Sequence, residues 1–318
     1  MQTRFAVCAA LLTGALAVFT AAHAADTINM IVPFSAGGPT DLIARTIAPS
    51  LSDKLGKTVV VENHGGAGGT IGANLAAHAK PDGHTILLTT SSLILSTGTR
   101  SKLPFDARKD LMPVYLLGEV QTMLAVNPKL GVDTLQELID KARGTPEGLN
   151  YGSTGVGGTM HVGAELLRKA ADIPLVHVPY RGAAPALVAL MAGQVDLVNA
   201  DVPVLQPYIK DGRLKGLVIY DTRRSPLLPD IPTASEAGMP ALQMTNWYGV
   251  LVPAGTPDSF RETLEGALDE VVHEPEIAAK LAQAGFSNPK DTAGFQARLD
   301  QDFGKWLPWL KANNIHTD

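Results

Sequence analysis

Three glycine-rich segments are the parts of the sequence best suited to binding chemistry. They are Pro33–Asp41 (PFSAGGPTD), Glu62–Thr70 (ENHGGAGGT) and Tyr151–Thr159 (YGSTGVGGT). Each follows a strand pattern and opens a helical one, which places it at the edge where open α/β sheets bind ligands. Glycine lets backbone N–H groups approach a ligand, and a helix N-terminus carries partial positive charge. One such loop is more simply a tight turn, but three at equivalent places predict cradles for an anion, with serine and threonine hydroxyls beside them.

Motifs for nucleotides, metals and catalysis are not matched. The run GKT at positions 56–58 ends like a P-loop, but position 51 holds Leu where the motif requires Gly, and no stretch satisfies G-x-G-x-x-G. Ser153 does not lie in a G-x-S-x-G elbow, and the eight histidines have no H-x-x-x-H or H-E-x-x-H spacing. The single cysteine, Cys8, excludes a thiolate metal site and a disulfide framework. We therefore expect no cofactor, no metal site and no catalysis.

Three single side chains near these segments each allow a chemical and a structural interpretation. His161 lies just inside the helix after the third segment, where it either faces a ligand or bonds to local backbone. Arg181 could clamp a carboxylate, although a solvated loop arginine is the simpler interpretation. Asp41 suits a helix N-cap better than an acid–base role.

The N-terminus has the pattern of a signal peptide. Arg4 precedes the apolar run Phe5–Phe19, and Ala22-His23-Ala24 supplies a small-x-small cleavage site. A buried N-terminal helix is the alternative, but a separate strand pattern begins directly at Asp26. We predict cleavage after Ala24, which removes Cys8 and leaves a soluble protein in the periplasm, since no later stretch is long and apolar enough to span a bilayer.

Composition limits the remaining classes. The chain has 318 residues, 45% of them hydrophobic, so it can bury sizeable cores and is not a disordered tail. The length suits two domains. A net charge of −5 gives no basic face for nucleic acid.

The strand and helix patterns alternate through most of the mature chain. Continuous apolar strands separated by helices predict α/β lobes, each a mostly parallel sheet flanked by helices. One sheet would need too many strands, so we place residues 25–121 in a first lobe, 122–245 in a second, and 246–318 back in the first. Predicted strands are 28–32, 58–61, 84–89, 123–126, 175–178, 195–198, 217–219 and 247–252. Predicted helices are 41–55, 71–79, 135–142, 160–170, 185–191 and 204–210, with only helices from 257 to 310.

An ordered set of segments resembles a known family. These segments are VPFSAGGPTD at 32–41, VEN at 61–63, GAGG at 66–69, YGSTG at 151–155, HVPYRG at 177–182, PAL at 185–187, GQVD at 193–196 and WYG at 247–249. Together they resemble the Bug family, the extracytoplasmic solute receptors of tripartite tricarboxylate transporters. The resemblance covers nearly the whole mature chain.

The resemblance implies a two-lobed periplasmic binding protein, type II-like, that closes on a small organic carboxylate in the interlobe cleft. It implies that backbone amides and ordered water hold the carboxylate, and that the protein delivers it to membrane transporter subunits. The carboxylate could be a mono-, di- or tricarboxylate, an aromatic acid or an acidic amino acid. We expect a monomer that does not bind nucleic acid. The candidate ligand-binding residues are Phe34, Ser35, Ala36, Gly38, Asp41, Ser153, Thr154, Gly158, Thr159, His161, Arg181, Asn199 and Asp201.

Two segments depart from the family pattern. Asn199 and Ala200 stand where the family often carries Phe-Asp, with Asp201 one step on, which alters one wall of the pocket. The run NHGG at 63–66 replaces the more usual Asn-Arg-Pro-Gly, so a positive charge is lost and the loop gains flexibility.

Two rival functions remain at the level of sequence. An exported hydrolase would use Ser153 and His161, but it needs a base near the serine and a group that orients the histidine, and the sequence indicates neither. A ligand sensor for a membrane kinase would have the same sequence features as a transport receptor.

Overall fold

The computed structural model describes residues 27–100 and 102–316, which form a two-lobed α/β fold. The predicted signal segment, residues 1–24, lies outside the described residues. Within the described ranges, no helix combines the length and the apolar character that a membrane span requires.

Strands and helices alternate along the described part of the chain, as the sequence pattern predicts. The strands are β1 Thr27–Val32, β2 Thr58–Asn63, β3 Thr85–Thr90, β4 Leu111–Val126, β5 Leu149–Ser153, β6 Leu175–Pro179, β7 Leu197–Asp201, β8 Lys215–Ile219 and β9 Thr245–Pro253. The α-helices are α1 Pro39–Leu55, α2 Thr70–Ala77, α3 Ser92–Thr99, α4 Leu135–Arg143, α5 Thr159–Ala171, α6 Ala183–Ala192, α7 Val202–Lys210, α8 Asp258–His273, α9 Pro275–Gln283 and α10 Thr292–Ala312. Short 3₁₀ turns occupy Ala67–Gly69 and Pro128–Leu130.

The long strand β4 joins two sheets. Its residues 111–121 pair antiparallel with β9, whereas residues 122–126 pair with β7 and β8. The first sheet has the order β2-β1-β3-β9-β4, and the second has β8-β4-β7-β5-β6. Strands β1, β2 and β3 run parallel, as do β5, β6 and β7, while the pairs that involve β4, β8 or β9 are antiparallel. The α/β prediction is confirmed, with mixed sheets because the crossing strands run against the parallel ones.

Helix α1 shows how the sequence ends a strand and opens a helix at the future site. Pro39 occupies the first turn, where its missing N–H costs nothing and its fixed φ suits the helix. The carboxylate of Asp41 accepts a hydrogen bond of 2.9 Å from the backbone N–H of Gly37 and so holds the preceding turn against the helix. Gly56 ends the helix in the left-handed conformation, with φ of 62°.

Each sheet carries a cluster of buried apolar side chains on both faces. In the first sheet, one cluster lies under α1, α8 and α9 and the other under α2, α3 and the first half of α10. In the second sheet, α4 and α5 cover one face and α6 and α7 the other. Trp306 and Leu310, near the end of α10, belong to a cluster of the second sheet. The end of α10 therefore belongs to a cluster that also includes Leu95 of α3.

The sequence analysis did not predict α3 or β5, and it predicted only the end of β4. It limited the central strand to residues 123–126 because Pro113 and Gly118 interrupt the apolar run before it. The structure shifts the pairing register between β4 and β9 near both residues and continues the strand through them. Helix α3 was missed because its residues Ser92–Thr99 (SLILSTGT) have the β-branched composition of a strand and a short length.

Candidate functional site

A small cavity lies where the carboxyl ends of the two sheets face each other. Its volume is ≈ 30 Å³, comparable with the ~30 Å³ that one water molecule occupies in the liquid. The cavity therefore suits the head group of a small molecule, and we call it the cradle. Its lining residues are Phe34, Gly38, Pro39, Thr40, Thr90, Thr154, Thr159, Met160, Ala183, Ala200, Asp201, Val204, Asn246 and Tyr248.

Four helices begin at the cradle. Helix α1 contributes Pro39 and Thr40, α5 contributes Thr159 and Met160, and the first turns of α6 and α7 contribute one residue each. The first four N–H groups of a helix have no partner within the helix, and the aligned peptide dipoles place partial positive charge there. Because four such ends converge on one space, the cradle favours an anion without any cationic side chain in its wall.

The hydroxyl of Thr154 is a buried polar group without a partner among the described residues. Thr154 lines the cradle, and a side chain at Gly158 would lie 2.1 Å from its Oγ1. Burying an unpaired hydroxyl is costly, so the Thr154 hydroxyl has a donor available for a group that enters the cradle.

Asp201 ends β7 and forms the acidic part of the cradle. Its carboxylate accepts hydrogen bonds from Asn246 Nδ2, at 3.2 and 3.1 Å, and from the hydroxyl of Tyr248. Burial raises the pKa of Asp201 to about 6, against the lowering effect of these two donors. The hydroxyl of Ser91 donates to Asn246 Oδ1 at 2.8 Å. Asp201 therefore belongs to a chain of hydrogen bonds that links β7 in the second sheet to the end of β3 in the first.

The two sides of the cleft meet in close backbone contacts beside the cradle. The backbone N–H of Thr159 donates to Ser92 Oγ at 3.2 Å. A Cβ at Gly68 would lie 2.3 Å from the carbonyl oxygen of Val156, so only glycine permits this approach. Ser35 Oγ donates to the backbone carbonyl oxygen of Arg181 at 2.8 Å. Two hydrogen bonds and one close backbone approach thus join the two sides of the cleft beside the cradle.

A larger groove leads away from the cradle between α1 on one side and α6 and α7 on the other. Its volume is ≈ 540 Å³, within the ~300–1,000 Å³ typical of small-molecule sites. Five residues line both spaces: Gly38, Pro39, Asp201, Val204 and Tyr248. The cradle and the groove are therefore adjoining compartments of one cleft.

Comparison with known proteins shows the family. The family described as "Tripartite tricarboxylate transporter family receptor" (TctC) matches residues 43–314. This chain belongs to the TctC family. Among curated relatives, BugT from Bordetella pertussis is 34% identical over 281 residues, which cover 86% of this chain and 86% of that one.

Solved structures agree with this assignment. The periplasmic binding protein BugD has a TM-score of 0.86 and 30% identity, covering 92% of this chain and 99% of that chain. MatC from Rhodopseudomonas palustris with bound malate has a TM-score of 0.85 and 30% identity, covering 89% and 98%. An R. palustris protein with adipate has a TM-score of 0.85 and 29% identity, covering 91% and 97%. The resemblance to Bug receptors and the periplasmic binding protein fold are confirmed.

In this TctC receptor the structure brings some of the predicted site residues together. Five of them line the cradle: Phe34, Gly38, Thr154, Thr159 and Asp201. Ser35 and Arg181 line a separate open cleft outside the cradle. Ala36 is exposed, and Gly158 is the N-cap residue of α5.

Asp41 and Asn199 are buried but do not line the cradle or the groove. Hydrogen bonds from Arg45 and from the N–H of Gly37 outweigh the effect of burial and hold the pKa of Asp41 below its usual value. Asn199 packs so closely on α5 that a Cβ at Gly163 would lie 2.2 Å from its Oδ1. Both residues support the walls, and we leave them out of the proposed contact set.

Ser153 and His161 belong to a buried polar cluster of the second lobe. Ser153 Oγ lies 2.5 Å from Nε2 of His177, not beside His161, and accepts a hydrogen bond from the N–H of Gly155. His161 Nδ1 accepts from the backbone of Gly157 at 3.5 Å, and burial lowers its pKa to about 4. Its ring lies 4.5 Å from that of His177. This geometry matches the local-backbone interpretation of His161.

The sequence analysis missed nine residues of the cradle wall. Thr90 ends β3, so the rule that ligands bind at the carboxyl ends of strands could have found it. Asn246 and Tyr248 lie on β9, which the sequence pattern predicts only as a strand that leads back into the first lobe. No local pattern marks them, because their position depends on how β9 passes between the lobes. The others are Pro39, Thr40, Met160, Ala183, Ala200 and Val204.

Proposed function

We propose that this receptor binds an organic carboxylate between its lobes and delivers it to a membrane transporter. The observation that carries the proposal is the cradle, where four helix N-termini and the unpartnered Thr154 hydroxyl converge on one small space. Malate and adipate, the acids bound by two family members of known structure, both carry the group that such a cradle accepts. The protein has the shape of a receptor that closes around its ligand.

We also propose the lobes that close. The first comprises residues 27–121 and 246–316, and the second 122–245. The change of pairing partner within β4 between Gln121 and Thr122 supports the first boundary, and the start of β9 at Thr245 supports the second. Both connections are single strands, which suits a hinge.

The proposed function excludes turnover of the ligand. Ser153 is fully buried and does not line the cradle, so its partnership with His177 does not face a bound molecule. Among the described residues, no cluster of His, Cys, Asp or Glu could hold a metal ion. A bound acid should therefore be recovered unchanged after prolonged incubation, as judged by NMR; product that disappears in a Ser153→Ala variant would favour the hydrolase.

A calorimetric screen tests the binding proposal. The mature protein, expressed from Ala25, is titrated with malate, adipate, straight-chain monocarboxylates and glutamate, with the amide of each binding acid as control. At least one acid should bind, and its amide should bind far more weakly, because the cradle offers donors and the amide nitrogen is itself a donor. Saturation at 100 times the Kd should add about 2.7 kcal/mol of stability in a thermal melt. Binding of amides as tight as that of acids would contradict an anion cradle.

Export is part of the same proposal. We propose that the chain is cleaved after Ala24 and acts in the periplasm, as the N-terminal pattern predicts. Mass spectrometry of the periplasmic protein should give a chain that begins at Ala25. A chain that keeps Met1, or a lipid adduct at Cys8, would contradict the cleavage.

A further inference from the structure

The groove beside the cradle is continuous with it through shared wall residues. Gly38 and Pro39, at the start of α1, line both the cradle and the groove. On the opposite side, Asp201, Val204 and Tyr248 also line both spaces. A molecule whose carboxylate occupies the cradle can therefore place its remaining atoms in the adjoining groove.

The walls of the groove are mainly apolar, and two of its side chains are unusually exposed. Leu42 on α1 is 57% exposed and Val188 on α6 is 62% exposed. They stand on opposite sides of the groove, one on each lobe. Exposed apolar residues that line one concave surface mark a binding site more often than scattered ones do. Further apolar lining comes from Ile43, Val120, Leu187, Met191, Pro207 and Phe286.

The charges of the groove do not favour a second carboxylate. Asp201 lies at the end nearest the cradle. The other charged lining residue is Lys280, and its Nζ is 2.6 Å from Oε1 of Glu276. Pro203 and Pro207 offer no backbone N–H from the adjacent turns of α7. A second carboxylate there would meet the buried Asp201 and a lysine that is already paired, with the side chains of Tyr208 and Gln283 as the uncharged donors in reach.

We propose that the ligand of this receptor is a monocarboxylate with an apolar body, which fills the groove while its carboxylate occupies the cradle. The inference rests on the proposed function and names the class of acid within it. A straight alkyl chain or a single aromatic ring fits within the groove, and its apolar surface suits the groove walls.

A chain-length series in calorimetry tests this class. The mature protein is titrated with butanoate, hexanoate and octanoate, and with adipate, in which a second carboxylate replaces the terminal methyl of hexanoate. Affinity should rise roughly fourfold for each methylene buried in the groove. Hexanoate should bind at least ten times more tightly than adipate.

Two leucine variants separate the groove from the rest of the surface. Leu42→Gln places a polar amide on the groove wall, whereas Leu75→Gln makes the same change at a leucine on α2 that is 43% exposed and lines neither space. Leu42→Gln should weaken octanoate binding at least fivefold and change butanoate binding less than twofold. Leu75→Gln should leave both affinities unchanged, and melting temperatures of both variants close to that of the wild type would show that folding is intact.

The outcomes distinguish this inference from the proposed function. If adipate binds as tightly as hexanoate, or if affinity does not depend on chain length, the groove does not hold the ligand body, although carboxylate binding stands. If Leu42→Gln and Leu75→Gln act alike, the apolar wall serves another occupant, such as a transporter segment. If no acid binds at any length, the carboxylate function itself fails.

Discussion

At the scale of single residues, the unpartnered hydroxyl of Thr154 gives a direct test of the cradle. In Thr154→Val the methyl replaces a buried hydroxyl that has no partner among the described residues, so the stability without ligand should stay the same or rise. Binding of the acid found in the screen should weaken about tenfold or more, because a hydrogen bond to a charged group contributes ~1.5–3 kcal/mol. Calorimetry measures both affinities.

Thr97→Val is the matched control for that variant. The hydroxyl of Thr97 donates to the carbonyl oxygen of Leu93 within its own helix and lines neither the cradle nor the groove. Its removal should leave the affinity unchanged and lower stability slightly. An equal loss of affinity in both variants would show that Thr154 acts on folding rather than on the ligand.

Asp201 should make ligand binding depend on pH. Its pKa of about 6 means that it gains charge as the pH rises from 6 to 8, which places an anion beside the carboxylate of the ligand. Affinity should therefore fall tenfold or more from about pH 6 to about pH 8. His161 does not share this range, since its pKa is about 4, and burial also lowers the pKa of His177.

Asp201→Asn isolates this effect. Residue 201 is then uncharged at both pH values, so the affinity for the ligand should vary little between them. The control is Asp196→Asn, near the start of the same strand, which should keep the wild-type dependence of affinity on pH. The stability of the folded protein depends on pH in the same direction. Because folding raises the pKa of Asp201 from 3.8 to about 6, the stability that Asp201 contributes is present below about pH 3.8 and is lost as the pH rises through about 6. Parallel pH profiles of wild type and Asp201→Asn would contradict this account.

The sequence predicted the chemistry of the site better than its exact residues. Gly38, Thr154 and Thr159 were found because glycine segments between strands and helices predict where backbone N–H groups converge. Asn246 and Tyr248 could not be found from local pattern, because the pairing of β9 with β3 and β4 brings them to the site from far along the chain. His161 shows the opposite case, where a residue close in sequence to the site lies outside its lining.

At the scale of elements, the second glycine segment controls how closely the lobes approach. Gly68→Ala should weaken ligand binding tenfold or more, because the added Cβ would lie 2.3 Å from the carbonyl oxygen of Val156 and hold the cleft open. Gly68 also has φ of +69°, so alanine there should cost ~1–2 kcal/mol of stability through backbone strain alone.

Gly56→Ala separates strain from obstruction. Gly56 has a similar φ of +62°, but a Cβ there would meet nothing within 4 Å. Both variants should therefore lower the melting temperature by a similar amount, while only Gly68→Ala should lose affinity in calorimetry. If the two lose affinity equally, close approach at Gly68 is not needed for binding.

The elements themselves were predictable to different degrees, for a physical reason. Strands such as β1 and β3, buried on both faces, have continuous apolar runs that any reading of the sequence detects. The first half of β4 contains Pro113 and Gly118, and only its pairing with β9 keeps it extended. Elements that tertiary contacts hold against local preference were therefore among those missed.

At the scale of the whole molecule, the closed arrangement can be trapped with a disulfide across the cleft. A Cβ at Gly182, in the second lobe, would lie 3.1 Å from Cβ of Ser35 in the first. Disulfides need Cβ–Cβ distances of about 3.5–4.5 Å, so a small relaxation suffices. The extended φ of 169° at Gly182 suits any residue, and Cys8 is the only other cysteine in the sequence.

In the mature Ser35→Cys, Gly182→Cys double variant, ligand should accelerate disulfide formation. The two thiols meet only when the lobes close, and a ligand that binds both lobes raises the population of that state. Mass spectrometry under mild oxidation should show faster bridging with saturating ligand than without, and the bridged protein should release ligand far more slowly than its reduced form. Either single variant is the control, since it cannot bridge within the chain. Equal bridging rates with and without ligand would mean that the lobes stay closed when empty, and the hinge proposed at β4 and β9 would then have no role in capture.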